Sequence, residues 1–182
     1  MGKKSGKGAK WEREICRALS LWWSFGLIEN SRDDIFWRTA GSGGMATNRK
    51  RINRKKTAEQ YGDIQAVDPI GKPLTDFFLL ELKRGYSADI NLCTLIDCPK
   101  TMKPPVVVDW YRKMKKEMIW ANRKGALLFF KRDRREAIVM MGIPTLHAIE
   151  KKVDMNLGYV PWAFYRCRWT EDVLVFLRLD DF

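Results

Sequence analysis

The sequence predicts one α/β domain, in which helices cover the faces of a mixed β-sheet and a mostly β extension follows. Two segments with helical periodicity, residues 9–25 and 107–123, alternate with short apolar runs typical of strands. The 182 residues can bury the core of a single domain, and no repeat or long linker indicates a second one. We expect a flexible basic arm at 1–8, a core at 9–131 and the extension at 132–182.

The first helix is predicted over residues 9–25, where Ile15, Leu19 and Trp22 recur at three- and four-residue spacing. Such spacing forms the core-facing stripe of an amphipathic helix. Glu12 lies at the edge of that stripe. An acid in the first helical turn, stabilised by the helix dipole, is the simplest explanation of Glu12 from this pattern alone.

The other elements follow from apolar runs and from the turn-forming residues between them. We predict strands at residues 34–39, 63–67, 77–83, 126–131, 136–141, 159–168 and 173–179, a helix at 107–123 that ends near Gly125, and a short helix at 144–152. Residues 85–105, with three prolines, are predicted to be irregular.

The charge of the chain favours a polyanionic partner. Lys and Arg number 34 against 22 Asp and Glu, which gives a net charge of +12. The excess is concentrated in residues 1–10 and 49–56, whereas charge kept only for solubility would be spread evenly. Basic clusters gain affinity for nucleic acid by releasing counterions from its phosphates. A charge run can also be solvated surface or a localisation signal.

The cysteines and the N-terminus indicate where the protein works. Cys93 and Cys98 are the only closely spaced cysteines, and the single histidine, His147, lies far from them, so a zinc site is not indicated. Reduced thiols are typical of intracellular proteins. No apolar segment follows the basic N-terminus, and no run approaches the roughly 20 apolar residues of a membrane span. We expect a cytoplasmic protein.

A predicted hairpin brings together the residues best suited to chemistry. The strands at 63–67 and 77–83 flank a turn-forming segment, so their pairing sets Asp63 opposite Glu81. Side chains alternate along a strand, and Glu81 therefore shares a face with Lys83. Two converging carboxylates repel each other and are costly to desolvate. A divalent cation resolves this conflict, and oxygen ligands suit Mg²⁺.

The Glu-x-Lys pattern has simpler explanations. An isolated occurrence is usually an exposed strand pair. Here the preceding residues, Phe77-Phe-Leu-Leu80, make the strand interior on both faces, where unpaired charges would be anomalous. A buried ion pair of Glu81 with Lys83 or Arg84 is the other alternative, but it leaves Asp63 unexplained.

With these residues in place, the chain resembles the PD-(D/E)XK nuclease superfamily, and within it the archaeal-type and phage Holliday junction resolvases. The matching pieces, in family order over roughly residues 7–131, are Lys7-Gly-Ala-Lys-Trp-Glu-Arg-Glu14, Arg38-Thr-Ala-Gly-Ser-Gly43, Gly62-Asp-Ile64 and Glu81-Leu-Lys83. Two departures stand out. The family often has a proline before its first metal-binding aspartate, where this chain has Gly62. The segment between Ser42 and Asp63 is also longer and more basic than a minimal resolvase requires, which leaves the type of DNA substrate open.

The resemblance implies a restriction-endonuclease-like core and hydrolysis of DNA phosphodiester bonds with Mg²⁺, or with Mn²⁺ as a substitute. It assigns Asp63, Glu81 and the backbone carbonyl of Leu82 to the metal. Glu12 would complete the metal environment or hold a water there. Lys83 would orient the attacking water and stabilise negative charge on the phosphate.

Other residues are implied to contact DNA. Ser42 would contact the scissile phosphate, although a plain flexible turn explains its glycine-bounded loop equally well. The basic residues expected on backbone phosphates are Lys3, Lys4, Lys7, Lys10, Arg38, Arg49, Lys50, Arg51, Arg54, Lys55 and Lys56. Phosphate contacts give affinity but no sequence reading, which favours a structure-selective enzyme.

A Holliday junction resolvase, acting in DNA recombination and repair as a symmetric homodimer, is therefore the first functional hypothesis, since two opposed strands need matched cuts. It would work in the host cytoplasm if the chain is phage-encoded. A second hypothesis is another PD-(D/E)XK enzyme of restriction, repair or replication that acts on duplex or flapped DNA. A third is an inactive DNA-binding module of the same fold, against which Asp63, Glu81 and Lys83 argue.

Overall fold

The structure is a computed structural model that describes residues 7–25, 27–39, 61–85, 90–153 and 162–181. Its class is α/β, as predicted, with helices on both faces of a mixed sheet. The helices are α1 Lys7–Ser24, α2 Lys72–Phe77, α3 Leu92–Asp97, α4 Val106–Trp120 and α5 Ile143–Val153, with 3-10 turns at Pro69–Gly71 and Leu179–Asp181. The strands are β1 Phe36–Arg38, β2 Ile64–Ala66, β3 Phe78–Arg84, β4 Gly125–Lys131, β5 Ala137–Gly142, β6 Trp162–Arg166 and β7 Val173–Arg178.

The main sheet has the strand order β3-β4-β5-β7-β6. β3 and β4 run parallel, and the remaining neighbours are antiparallel. β4 is buried at all but its last residue, which agrees with the prediction that this apolar run is central. The extension predicted at residues 132–182 contributes β5, β6 and β7 to this same sheet.

Each face of the main sheet carries its own hydrophobic core. On one face, α1, α2, α5 and a small antiparallel sheet of β1 and β2 pack against alternate strand residues, among them Leu80, Leu82 and Phe129. On the other face, α3 and α4 pack against the intervening residues, including Leu79 and Leu128. The stripe predicted for α1 is buried at Ile15 and Leu19.

The predicted hairpin of residues 63–67 with 77–83 is wrong. β2 pairs with β1, and β3 pairs with β4. Between β2 and β3, Asp68 caps a 3-10 turn by accepting a hydrogen bond from Ile70 N at 3.0 Å, and α2 follows at once. Prolines and a capping aspartate begin helices as readily as they form hairpin turns, so the local signal was ambiguous.

Three smaller expectations also need correction. α1 begins at Lys7, so the last two residues of the predicted arm are helical. Residues 92–97, predicted to be irregular, form α3, whose cap Asn91 accepts from Thr94 N at 2.7 Å. α4 ends at Trp120, followed by Asn122 with φ of 56°, and Gly125 begins β4 instead of ending the helix.

In the described ranges, no helix has both the length and the apolar character to cross a membrane.

Candidate active site

Asp63 lies between the small sheet and the outer edge of β3. Its N–H donates to Leu80 O at 2.8 Å, and its Oδ2 accepts from Leu82 N at 2.8 Å. Its carbonyl accepts from Thr39 N at 2.9 Å. The side chain is therefore almost fully buried, with the residue only 7% exposed. Asp63 thus reaches β3 through edge contacts, although the predicted hairpin does not exist.

Glu81 and Lys83 lie on the α4 side of β3, opposite Leu80 and Leu82. The Lys83 amine forms an ion pair with Glu81 Oε1 and lies 3.9 Å from Asp63 Oδ2. It also lies 3.3 Å from the carbonyl oxygen of Leu82. One ammonium group therefore lies between two carboxylates at the edge of the sheet.

The buried carboxylates carry more negative charge than the lysine can balance. Burial, together with the negative charge of Asp63, raises the pKa of Glu81 to about 7, although the nearby Lys83 amine acts to lower it. Glu81 Oε2 is buried and has no hydrogen-bond partner among the described residues. A buried oxygen of this kind is costly unless it binds a donor or a cation.

These residues fit a divalent cation. Asp63 and Glu81 supply carboxylate oxygens, and the Leu82 carbonyl lies on the same strand edge as the Leu82 N–H that contacts Asp63. Hard oxygen ligands suit Mg²⁺, which usually keeps several waters. Over the described ranges, no three acidic, histidine or cysteine side chains form a ready-made cluster, so water would supply the remaining ligands.

Comparison with protein families agrees with this geometry. Residues 3–176 match the model of a family described as "Phage putative PDDEXK endonuclease". The chain belongs to this family. The resemblance to the PD-(D/E)XK superfamily is thereby confirmed, whereas closeness to Holliday junction resolvases stays a prediction. Neither the curated proteins nor the solved structures contain a match to the chain.

Glu12, the helix-borne carboxylate of the PD-(D/E)XK resemblance, forms an ion pair with Arg38 at 3.0 Å. Burial raises the pKa of the neighbouring Cys16 thiol to about 12, and the negative charges of Glu12 and Asp63 add to the shift. Glu12 and Asp63 therefore approach the same thiol from α1 and from the edge of β3. Arg38, expected on DNA, is engaged by Glu12 in this structure.

Glu117 is a residue of the site that sequence reasoning missed. It lies on α4, and its Oε1 accepts a hydrogen bond from Gly62 N at 2.9 Å. Burial raises the pKa of Glu117, the Gly62 N–H lowers it, and the charge of Asp63 raises it again. The available signal was its spacing, three residues after Met114 and seven after Trp110 on the buried stripe of α4.

Gly62 explains the departure from the common family motif. Its φ is +76°, and an added Cβ would lie 2.8 Å from the carbonyl oxygen of Leu80. Proline is locked near φ of about −65° and has no N–H to donate. Proline would therefore lose both this backbone conformation and the bond to Glu117.

Several predicted DNA-contacting residues lie outside the described part of the chain. Ser42, Lys3 and Lys4 are among them, as is the basic cluster formed by Arg49, Lys50, Arg51, Arg54, Lys55 and Lys56. Lys7 is the first residue of α1, and Lys10 lies exposed on the same helix.

Proposed function

We propose that the chain is a metal-dependent endodeoxyribonuclease that hydrolyses branched DNA, most specifically a resolvase of four-way Holliday junctions. One observation carries the nuclease part: Asp63, Glu81 and Lys83 converge at one strand edge, where a buried oxygen of Glu81 has no hydrogen-bond partner in the part of the chain that the structure describes. Family membership supports the same chemistry. The junction preference rests on the motif resemblance and on the basic segments, which suit phosphate contacts without base reading.

In this proposal Asp63, Glu81 and the Leu82 carbonyl would hold Mg²⁺. The bound ion would lower the pKa of the attacking water and polarise the scissile phosphate. Lys83, held by Glu81 next to Asp63, orients that water and stabilises the negative charge that develops on the phosphate. Glu12 completes the metal environment or positions a water on the α1 side.

The test is cleavage of three labelled substrates, a four-way junction, a linear duplex and a flap, each with Mg²⁺, Mn²⁺ or EDTA. We expect paired, symmetric cuts in the junction that require the divalent ion. Asp63→Asn and Lys83→Met should each reduce the cleavage rate at least about 100-fold while DNA binding persists. Asp97→Asn, which neutralises an exposed acid on α3, is the matched control and should cleave like the wild type.

Each other outcome selects another hypothesis. Preferred cleavage of duplex or flap would replace the resolvase with another PD-(D/E)XK activity in restriction, repair or replication. Binding of DNA without cleavage under any condition would favour the inactive binding module. Matched cuts require two active sites, so light scattering should show a homodimer in solution. The proposed place of action is the cytoplasm, of the host if the chain is phage-encoded.

A further inference from the structure

An open cleft of about 760 Å³ lies on the α1 face of the sheet, at the end of β3 where Arg84 follows Lys83. Its walls come from the first turns of α1, the end of β3 and the turn between β4 and β5. The lining residues are Lys10, Trp11, Glu14, Arg84, Lys131, Asp133 and Arg134. We call these seven residues the basic cleft.

The basic cleft keeps an excess of positive charge after its internal pairing. Lys10 lies 3.8 Å from Glu14, and Arg84 lies 3.2 Å from Asp133. Lys131 and Arg134 form no ion pair within the described ranges, although the Lys131 amine lies 5.5 Å from the centre of the Trp11 ring. Among the residues that the structure describes, two cations thus remain without a carboxylate partner in a concave, solvent-open surface.

Arg84 and Lys131 are held in place by contacts within the fold. The Arg84 guanidinium donates to Lys131 O at 3.1 Å, which ties the end of β3 to the end of β4. Trp11 is only 4% exposed and forms a rigid floor on which the Lys131 amine rests. Charges that are fixed before binding lose less entropy when an anion arrives.

The position of the cleft connects it to the catalytic residues. Arg84 directly follows Lys83, and consecutive strand residues point to opposite faces of a sheet. Lys83 therefore faces the α4 side at the same strand end where Arg84 enters the cleft. On α1, Lys10 and Trp11 immediately precede Glu12, which pairs with Arg38 beside the site.

We infer that the basic cleft binds backbone phosphates of the substrate DNA on the α1 side of the scissile bond. The inference rests on the proposed nuclease function and deepens it, since it adds Arg84, Lys131 and Arg134 to the DNA path. Open shape, fixed cations and closeness to the catalytic edge favour a continuous polyanion. Phosphate contacts of this kind position the duplex without reading its sequence.

The test is DNA binding by the full chain in EDTA, where cleavage cannot interfere. A fluorescein-labelled duplex is titrated with wild type, with Lys131→Gln/Arg134→Gln, and with the matched control Arg112→Gln/Lys113→Gln. The control removes the same charge from two exposed positions of α4, on the opposite face of the sheet. Thermal unfolding of all three proteins verifies that they fold.

The expected signature is a change in salt dependence. Each phosphate contact contributes about 0.9 to the slope of log affinity against log salt concentration, so the cleft variant should lose about 2 from that slope. Its affinity near 0.1 M salt should fall about 60-fold, while the control stays within about twofold. Arg134→Gln alone changes an exposed turn residue and should lose about 1 from the slope, which keeps the test available if the double variant does not fold.

The outcomes separate the cleft from the proposed function. Equal slopes and affinities for the cleft variant and the control would overturn the inference, as would a wild type that binds no DNA. If the wild type cleaves DNA and the cleft variant binds DNA normally, the proposed role of the basic cleft is rejected and the proposed nuclease activity is retained. If only the cleft variant loses salt dependence and the wild type cleaves no DNA, the basic cleft is retained as a DNA-binding surface and the proposed nuclease activity is rejected.

Discussion

The carboxylate of Glu117 on α4 accepts a hydrogen bond at 2.9 Å from the N–H of Gly62, the residue before Asp63. The bond joins the helix on one face of the sheet to the segment that carries the first candidate metal ligand. Gly62 is buried, so its N–H has no access to solvent as a substitute partner. We therefore regard Glu117 as a positioning residue for Asp63.

Glu117→Ala and Glu117→Gln test this role. The alanine removes the acceptor, which should cost about 1–3 kcal/mol of unfolding free energy. It should also raise several-fold the Mg²⁺ concentration for half-maximal cleavage, because Asp63 loses its support. Glutamine keeps an acceptor oxygen and should stay close to wild type in both measurements. A glutamine variant as defective as the alanine variant would show that the negative charge matters, and not the hydrogen bond.

Gly62→Ala should destabilise the protein through its backbone. The left-handed φ costs an alanine about 1–2 kcal/mol, and the contact of its Cβ with the Leu80 carbonyl at 2.8 Å adds to this. Gly8→Ala is the control, because a Cβ there meets nothing within 4 Å in a helix, where alanine is favoured by up to about 1 kcal/mol. Urea unfolding should give opposite signs for the two variants. Equal effects would contradict the conformation assigned to Gly62.

The metal-free protein should lose stability as pH rises because of Glu81. The pKa of Glu81 is about 7 in the folded protein against an ordinary value of 4.5 for an exposed glutamate, so the folded state binds the proton more tightly. The stabilisation is complete below pH 4.5 and is lost as pH rises through 7. At 1.36 kcal/mol per pKa unit, the loss is at most about 3 kcal/mol.

The measurement is the free energy of unfolding in EDTA for wild type and Glu81→Gln between pH 4.5 and 8. As pH rises across this range, the free energy of unfolding should fall more for the wild type than for Glu81→Gln, because only the wild type must release the proton of Glu81. Parallel stability curves would contradict the burial of an ionisable Glu81. Added Mg²⁺ at pH 8 should stabilise the wild type more than the variant.

The cysteines should differ sharply in reactivity. Cys16 is fully buried and burial raises its pKa to about 12, so almost no thiolate forms at pH 8. Cys93 is exposed on α3. A disulfide reagent followed by peptide mass spectrometry should label Cys93 at least about 100-fold faster than Cys16, until denaturant removes the difference. Rapid labelling of Cys16 in the native protein would contradict its burial on the core-facing side of α1.

Local sequence patterns predicted most elements but not the way that they pair. The apolar run of β4 and the stripe of α1 depend on residues close in the chain, and both were predicted correctly. The partner of β3 is β4, which lies more than forty residues later, and no local pattern encodes parallel pairing. The segment Asp68–Pro73 predicts a hairpin turn, but in the structure it forms a 3-10 turn and the start of α2. The prediction is wrong because aspartate and proline are common both in turns and at the beginnings of helices.

The candidate site could be predicted only in part, because local sequence patterns do not show which distant residues come into contact. Asp63, Glu81 and Lys83 converge as predicted. The connection that brings them together is α2, however, and not the predicted hairpin. Alternation along β3 correctly placed Glu81 and Lys83 on one face. Glu117 was not predicted, because its contact with Gly62 joins residues that are far apart in the chain. The periodicity of α4 identifies its buried apolar residues and says nothing about a carboxylate near them.

The parallel pairing of β3 with β4 also affects the order of folding. Residues 78–84 and 125–131 can meet only after the intervening segment, which contains α3 and α4, has brought its two ends together, and contacts of such high sequence separation form slowly. During synthesis, the edge that carries Glu81 and Lys83 stays without its sheet until residue 131 has left the ribosome. A nascent chain shorter than this therefore lacks the assembled strand edge of the candidate active site.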